Sequence, residues 1–306
     1  MKTITYRKSI CYSGYRKGQS PIQKIHPEYE DIEEDLSILE KDFDYIRMYD
    51  SGKHARMTLE TIKNKKINLK VLVGMDLLGE ASNPNCSWGG DYTDEEIAKN
   101  ITYNQLQLQQ AIELSNEFQD IVLAVSAGNE SVPEWNENLV SSGRVLYFVQ
   151  ELKKYTKVPV TYCDNNYYWR NELRAVANEV DFISIHIYPV WLGSKVHEAI
   201  TTSIREYNEI NSIYPDKQVI ITETGWPTRS NGGAIPVDHA NELNQMFFNT
   251  EIDRWTKENN IPCFFFEAFD EFWKGSDNIN EPEKHWGYYY DDRSPKKIVS
   301  KNKTLK

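Results

Sequence analysis

The chain is 306 residues long and carries 46 acidic against 35 basic side chains, a formal charge of -11. That length allows one large enzyme-sized domain, since a (β/α) barrel of roughly 250 residues or more closes around a single sheet. The acidic balance is spread along the chain without a cationic face for phosphates, which argues against nucleic acid as a partner, and no apolar run approaches the roughly 20 residues that span a bilayer.

In chain order, β-branched and aromatic runs predict strands at residues 4–13, 43–50, 69–77, 121–130, 158–164, 181–189, 218–226 and 262–271. Helical spacing separates several of them. Ile32, Leu36 and Leu39 follow the first run; Ile97, Ile101 and the stretch from Leu106 to Phe118 follow the third; Val145, Phe148, Val149 and Leu152 follow the fourth; Leu243, Phe247 and Ile252 follow the seventh. Thr93, with Glu96 three residues on, reads as a capping box opening the helix of Ile97. Alternation of strand and helix implies parallel neighbours joined by crossovers. Without a Gly/Ser linker or a shift of composition, eight such units predict a single (β/α)8 TIM barrel over residues 1–306. An open doubly wound sheet is the competitor, but Ser13-Gly14-Tyr15-Arg16 after the first strand carries one glycine where that fold has a glycine-rich phosphate turn.

The four cysteines, Cys11, Cys86, Cys163 and Cys263, lie far apart and read as isolated buried thiols. The six histidines form no His-x-x-x-His pair and no Asp-rich loop fits calcium, so neither a metal nor an organic cofactor is expected. Ser126 and His186 lack the Gly-x-Ser-x-Gly elbow of a serine hydrolase.

Barrel chemistry sits at the carboxyl ends of the strands. Here the fourth run ends in Gly128-Asn129-Glu130, the seventh in Glu223-Thr224-Gly225-Trp226-Pro227, and the eighth in Asp270-Glu271-Phe272-Trp273-Lys274. A glutamate closing an apolar strand costs free energy unless it is partnered. One such residue is explained by a helix cap or an ion pair. Two on nearly opposite strands are better explained as a pair for glycosidic cleavage, one protonating the leaving oxygen and the other attacking the anomeric carbon or activating water.

These motifs, in this order, with the closing His285-Trp286-Gly287 and the fainter Cys11-Tyr12 and Ile46-Arg47-Met48-Tyr49, resemble glycoside hydrolase family 17, the β-1,3-glucanases. The likeness runs over nearly the whole chain. It is nearer the fungal and bacterial members than the plant ones, notably at Phe264-Phe265-Phe266-Glu267-Ala268-Phe269. The resemblance implies a retaining, laminarinase-type and endo-acting hydrolase, with Glu130 as acid/base and Glu223 as nucleophile. Glu130 must then begin protonated and Glu223 ionised. It further implies that Asn129 meets the sugar 2-hydroxyl and that Tyr188, in His186-Ile187-Tyr188-Pro189, meets the nucleophile. Glu271, Lys274 and Glu283 match the family's charged cluster beside that nucleophile; Tyr12, Arg47, Tyr49 and His186 are expected to support the site.

Sugar rings need flat apolar faces. Trp88, Trp135, Tyr167, Tyr168, Trp169 and Trp191 lie in predicted loops after strands three to six and are candidate subsites, as are Trp226 and Trp273 within the motifs. The expected partner is thus a β-glucan, with the protein a monomer. A glucanosyltransferase would use the same residues, and a barrel that binds glucan without cutting it is the reading from another class. The first residues lack the apolar segment of roughly 7–15 residues that a secretory signal needs. Secretion or export to the periplasm is expected if a leader has been removed, and a cytoplasmic location if the chain is complete.

Overall fold

The computed structural model describes residues 3–304. Its strands are β1 (Lys8–Cys11), β2 (Tyr45–Arg47), β3 (Lys70–Val73), β4 (Val122–Asn129), β5 (Val160–Asn165), β6 (Ile183–His186), β7 (Val219–Thr224) and β8 (Cys263–Phe265). All pair in parallel and in chain order, and β8 closes on β1 through Ser9 opposite Phe264. The result is a single (β/α)8 TIM barrel. All eight strands fall within the predicted runs or overrun them by a single residue. Most are shorter, because hydrogen-bonded pairing ends where the chain turns into the loops at the barrel mouth.

The helices are α1 (Tyr29–Leu39), α2 (Lys53–Lys65), α3 (Asp94–Glu117), α4 (Ser142–Tyr155), α5 (Asn166–Arg170), α6 (Arg174–Glu179), α7 (Val196–Ile213), α8 (Glu242–Glu258) and α9 (Lys297–Thr304). The reciprocal capping box of Thr93 and Glu96 opens α3. α2 and α7 escape the apolar-spacing reading. The buried face of α2 interleaves Met57, Leu59 and Ile62 with His54, Ala55, Thr58 and Thr61; that of α7 contains Val196, Ala199, Ser203, Tyr207 and Ile210.

Period-two alternation divides the apolar side chains into two layers. Ile10, Val71, Val73, Ile183, Ile185, Val219 and Ile221 point outward into the large core under the helices. Cys11, Leu72, Ala124, Phe182, Ile220 and Phe264 point inward and fill the barrel. Toward the carboxyl ends of the strands the buried side chains turn polar, with Arg47, Ser126, His186, Thr222 and Glu223 in place of aliphatics. The packed plug therefore forms the floor of a site.

Candidate active site

Glu130 follows a distorted strand end. The β4–β5 register shifts between Ser126 and Asn129, Gly128 has φ 135° and Glu130 has φ 45°. That φ at Gly128 strains any residue with a Cβ, which would also come within 2.7 Å of Leu77 Cδ1. Such a bulge re-aims the residues after it. The Glu130 amide donates to the Cys163 carbonyl at 2.9 Å, and its carboxylate Oε1 lies 2.8 Å from His186 Nδ1.

Glu223, near the end of β7, is buried and surrounded by donors. Its Oε2 accepts from the Tyr188 hydroxyl at 2.8 Å, and its Oε1 accepts from the Tyr49 hydroxyl at 3.0 Å and from Arg47 Nη1. The second guanidinium nitrogen of Arg47 donates to Asn129 Oδ1, so one planar fork ties β2 to both β4 and β7. Burial opposes a charge on Glu223, but His186, Arg47 and the Tyr188 hydroxyl hold its carboxyl down at about 2.

His186 faces both carboxylates. Its Nε2 stands 3.7 Å from Glu223 Oε1, a charge contact and not a hydrogen bond. Burial disfavours the imidazolium, yet Glu223 and Glu130 together raise the ring to about 10, so it carries a positive charge between two acids.

A second charged group lies beside them. Lys274 Nζ pairs with Glu267 and, at 3.0 Å, with Glu271. Glu271 also accepts from Ser13 at 2.8 Å, from the Tyr15 amide at 2.9 Å and from Trp273 Nε1 at 3.0 Å. Its lone pairs are thus occupied by the structure. Glu283 lines the cleft close by; burial raises its carboxyl to about 7, against the pull of Lys274 and with the push of Glu223 and Glu130. Tyr12 is fully buried at the cleft floor, its hydroxyl 3.4 Å from Asp35.

These groups open into one cleft of about 1250 Å³ that runs across the barrel mouth. Of the aromatics expected in it, Trp88, Trp135, Tyr167, Trp191 and Trp273 line its walls. Trp88, Trp135 and Tyr167 are 64%, 44% and 54% exposed, so each offers a face to a ligand. Trp88 and Trp135 are brought together because the loop after β3 docks on the loop after β4: Asn83 donates to the Glu134 and Asn136 carbonyls at 2.6 and 3.0 Å.

Four expectations are corrected. Trp169 has no exposed surface; it lies on the buried face of α5 and donates to the Ser184 carbonyl at 2.8 Å. Trp226 is equally buried and donates to the His239 carbonyl at 2.8 Å. Tyr168 stands edge-on to Tyr167 with ring centroids 5.4 Å apart and lies outside the cleft lining. Nor is Cys86 a buried thiol: it is half-buried on the loop that carries Trp88, while Cys11, Cys163 and Cys263 are buried. The sequence reading missed Asp50, His54, Asp76, Tyr103 and Gln107, which line the cleft from the β2 and β3 loops and from α2 and α3. They sit in no compact motif; Asp50 and Asp76 follow strand ends, whereas His54, Tyr103 and Gln107 lie on helices and gave no signal.

The sequence model of the BtgE/BtgC glycoside hydrolase domain matches residues 9–287. An Arthroderma benhamiae protein named glucan 1,3-beta-glucosidase is 27% identical over 192 residues, covering 58% of this chain and 61% of its own length. An Aspergillus niger protein named as a glucan endo-1,3-beta-glucosidase is 26% identical over 285 residues, covering 85% of this chain and 38% of its own length. This chain thus spans less than two thirds of either relative. Among solved structures, an endo-laminarinase from Formosa superposes with a TM-score of 0.82 at 25% identity, over 98% of this chain and 87% of that one. A family 17 β-1,3-glucanosyltransferase from Rhizomucor miehei shares the fold, with a TM-score of 0.73 at 18% identity and 95% of both chains covered.

Proposed function

Because this chain belongs to the BtgE/BtgC glycoside hydrolase domain family, we propose that it hydrolyses β-1,3-glucan internally and with retention of configuration, Glu223 acting as nucleophile and Glu130 as acid/base. The observation that carries this reading is the pair of unlike carboxylates at one imidazole. One is held ionised by an arginine and two tyrosine hydroxyls. The other projects from a bulged strand end, with His186 Nδ1 2.8 Å from its Oε1.

The chemistry follows from that difference. A Glu223 oxygen attacks the anomeric carbon and forms a glycosyl ester as the glycosidic C–O bond breaks, and the Glu130 proton passes to the departing oxygen. Glu130, now ionised, takes a proton from water as that water attacks the same carbon, and Glu223 leaves as a free carboxylate. Arg47 stabilises the ionised nucleophile and, through Asn129, holds the group placed to meet the 2-hydroxyl. Tyr188 donates to Glu223 Oε2 and, with the donors on Oε1, fixes the orientation of the carboxylate. Glu271 and Lys274 fix the wall beside this centre without bond-making of their own. The relatives named for β-1,3-glucan support the choice of linkage.

A timed product analysis on laminarin, beside β-1,4- and mixed-linkage glucans, tests this reading. It predicts short β-1,3 oligosaccharides of varied length, lost in Glu223→Gln. Early products longer than the substrate would replace hydrolysis by transglycosylation, the activity for which the Rhizomucor fold neighbour is named. Tight oligosaccharide binding without turnover would leave a binding barrel.

A further inference from the structure

Asp164 sits on β5 with no exposed surface and with no cation in any ion pair among the described residues. A carboxyl buried in this way costs stability unless it is hydrogen-bonded. Its Oδ1 accepts from the Asn165 amide at 2.7 Å and its Oδ2 from the Tyr162 hydroxyl at 2.7 Å. Tyr162, two residues earlier, belongs to the apolar layer between strands and helices and so approaches the β4 turn from outside the barrel.

That hydroxyl has one proton to give and two lone pairs to fill. The proton goes to Asp164, and the lone pairs accept from the amides of Ser131 at 2.8 Å and Val132 at 3.2 Å. These are the two residues after Glu130. The Tyr162 ring also lies beneath the turn, where a Cβ on Gly128 would meet its Cε2 at 3.2 Å. Glu130 holds φ 45°, a left-handed conformation that an L-residue keeps only where its surroundings fix it. The Cys163 carbonyl fixes it from within β5, and Tyr162 fixes the next two amides. Burial pushes the Asp164 carboxyl well above the usual range, against the hydrogen bonds from Tyr162 and the Asn165 amide.

We infer that Tyr162 and Asp164 form a buried positioning pair that holds the backbone of Glu130 where its carboxyl can deliver a proton to the leaving sugar. The inference rests on the reading of Glu130 as acid/base. It concerns residues that touch neither substrate nor the reacting atoms.

The test compares the full chain with Tyr162→Phe, Asp164→Asn and Glu130→Gln, using laminarin and 2,4-dinitrophenyl β-laminaribioside. Laminarin's alcohol leaving group needs the proton, whereas dinitrophenolate departs without one. A misplaced acid therefore lowers kcat on laminarin by about tenfold or more and leaves KM within about twofold, while first-turnover release of dinitrophenolate stays within about threefold. Asp164→Asn shows the same split to a smaller degree and decides the matter if Tyr162→Phe fails to fold. Equal losses on both substrates, or a KM effect alone, would overturn the positioning role. If Glu130→Gln itself fails to spare the dinitrophenyl substrate, the acid/base assignment falls instead, whatever Tyr162 does.

Discussion

Two glutamates share one cleft and one histidine, yet their settings differ at nearly every level. Glu223 extends from within β7, where the pairing with both neighbouring strands shifts register, into a set of donors: Arg47, Tyr49 and Tyr188 take up both of its oxygens. Glu130 stands after a bulge, in a left-handed backbone held from behind, and among the described residues His186 is the one side chain within hydrogen-bond reach of its carboxylate. The contrast shows how one residue type is divided between two jobs. Dense donation favours the ionised form that a nucleophile needs.

The sharpest way to break that contrast is to neutralise each side in turn. Glu223→Gln should cost about 10⁴-fold or more in kcat on every substrate, since no covalent step remains. Glu130→Gln should cost about 10²- to 10⁴-fold on laminarin, and azide should restore part of the turnover on an activated aryl glycoside, giving a β-glycosyl azide detectable by NMR. Azide rescue giving an α-product from Glu223→Gln on an activated substrate is compatible with the assignment; the reverse pattern would exchange the two roles.

A smaller but still large effect is expected from Arg47→Met, which leaves the Glu223 charge buried beside one imidazolium. Breaking a buried ion pair from one side costs roughly 3–5 kcal/mol. Rate and thermal stability should both fall, and the acid limb of the pH profile should move upward as Glu223 loses a cation that holds its carboxyl down. An unchanged acid limb would mean that Arg47 does not govern the nucleophile's ionisation.

His186 offers a test by pH. Its ring is raised from 6.5 to about 10, so its contribution to stability is complete below about 6.5 and is lost as the pH climbs through about 10. Glu223 runs the other way: lowered from 4.5 to about 2, it contributes above about 4.5 and loses that contribution as the pH falls through about 2. The Tm gap between the native chain and His186→Gln should therefore be widest between about pH 5 and 6 and close toward pH 10. A gap that widens with alkali would show the imidazole to be neutral.

The smallest effects separate aromatic walls from aromatic packing. Trp135→Ala should raise KM on long glucans several-fold with little change in Tm, because its exposed ring carries binding alone. Trp226→Ala should leave KM almost untouched in whatever protein folds, but lower stability by roughly 3–5 kcal/mol through the cavity it opens.

Much of this was readable from the chain because each part left a local signal. The strands are runs of β-branched residues, and both glutamates end such runs within distinctive motifs. Trp169 and Trp226 were misread because nearness to a motif does not say which face of the barrel wall a ring occupies. Trp226 lies three residues past Glu223 but hydrogen-bonds to the His239 carbonyl, away from the cleft. α2 was missed because small and polar residues interrupt the apolar spacing of its buried face. Asp164 and Tyr162 gave no signal, since their importance lies in a turn on the neighbouring strand that only the β4–β5 pairing brings to them.

The central claim, that Glu223 forms a covalent bond to the sugar, is tested most directly by trapping. The chain is incubated with 2,4-dinitrophenyl 2-deoxy-2-fluoro-β-laminaribioside, digested and mapped by mass spectrometry. The account predicts one adduct, on the peptide that carries Glu223, forming in step with loss of activity on laminarin. An adduct on Glu130, or inactivation of an active enzyme with no adduct at Glu223, would contradict it.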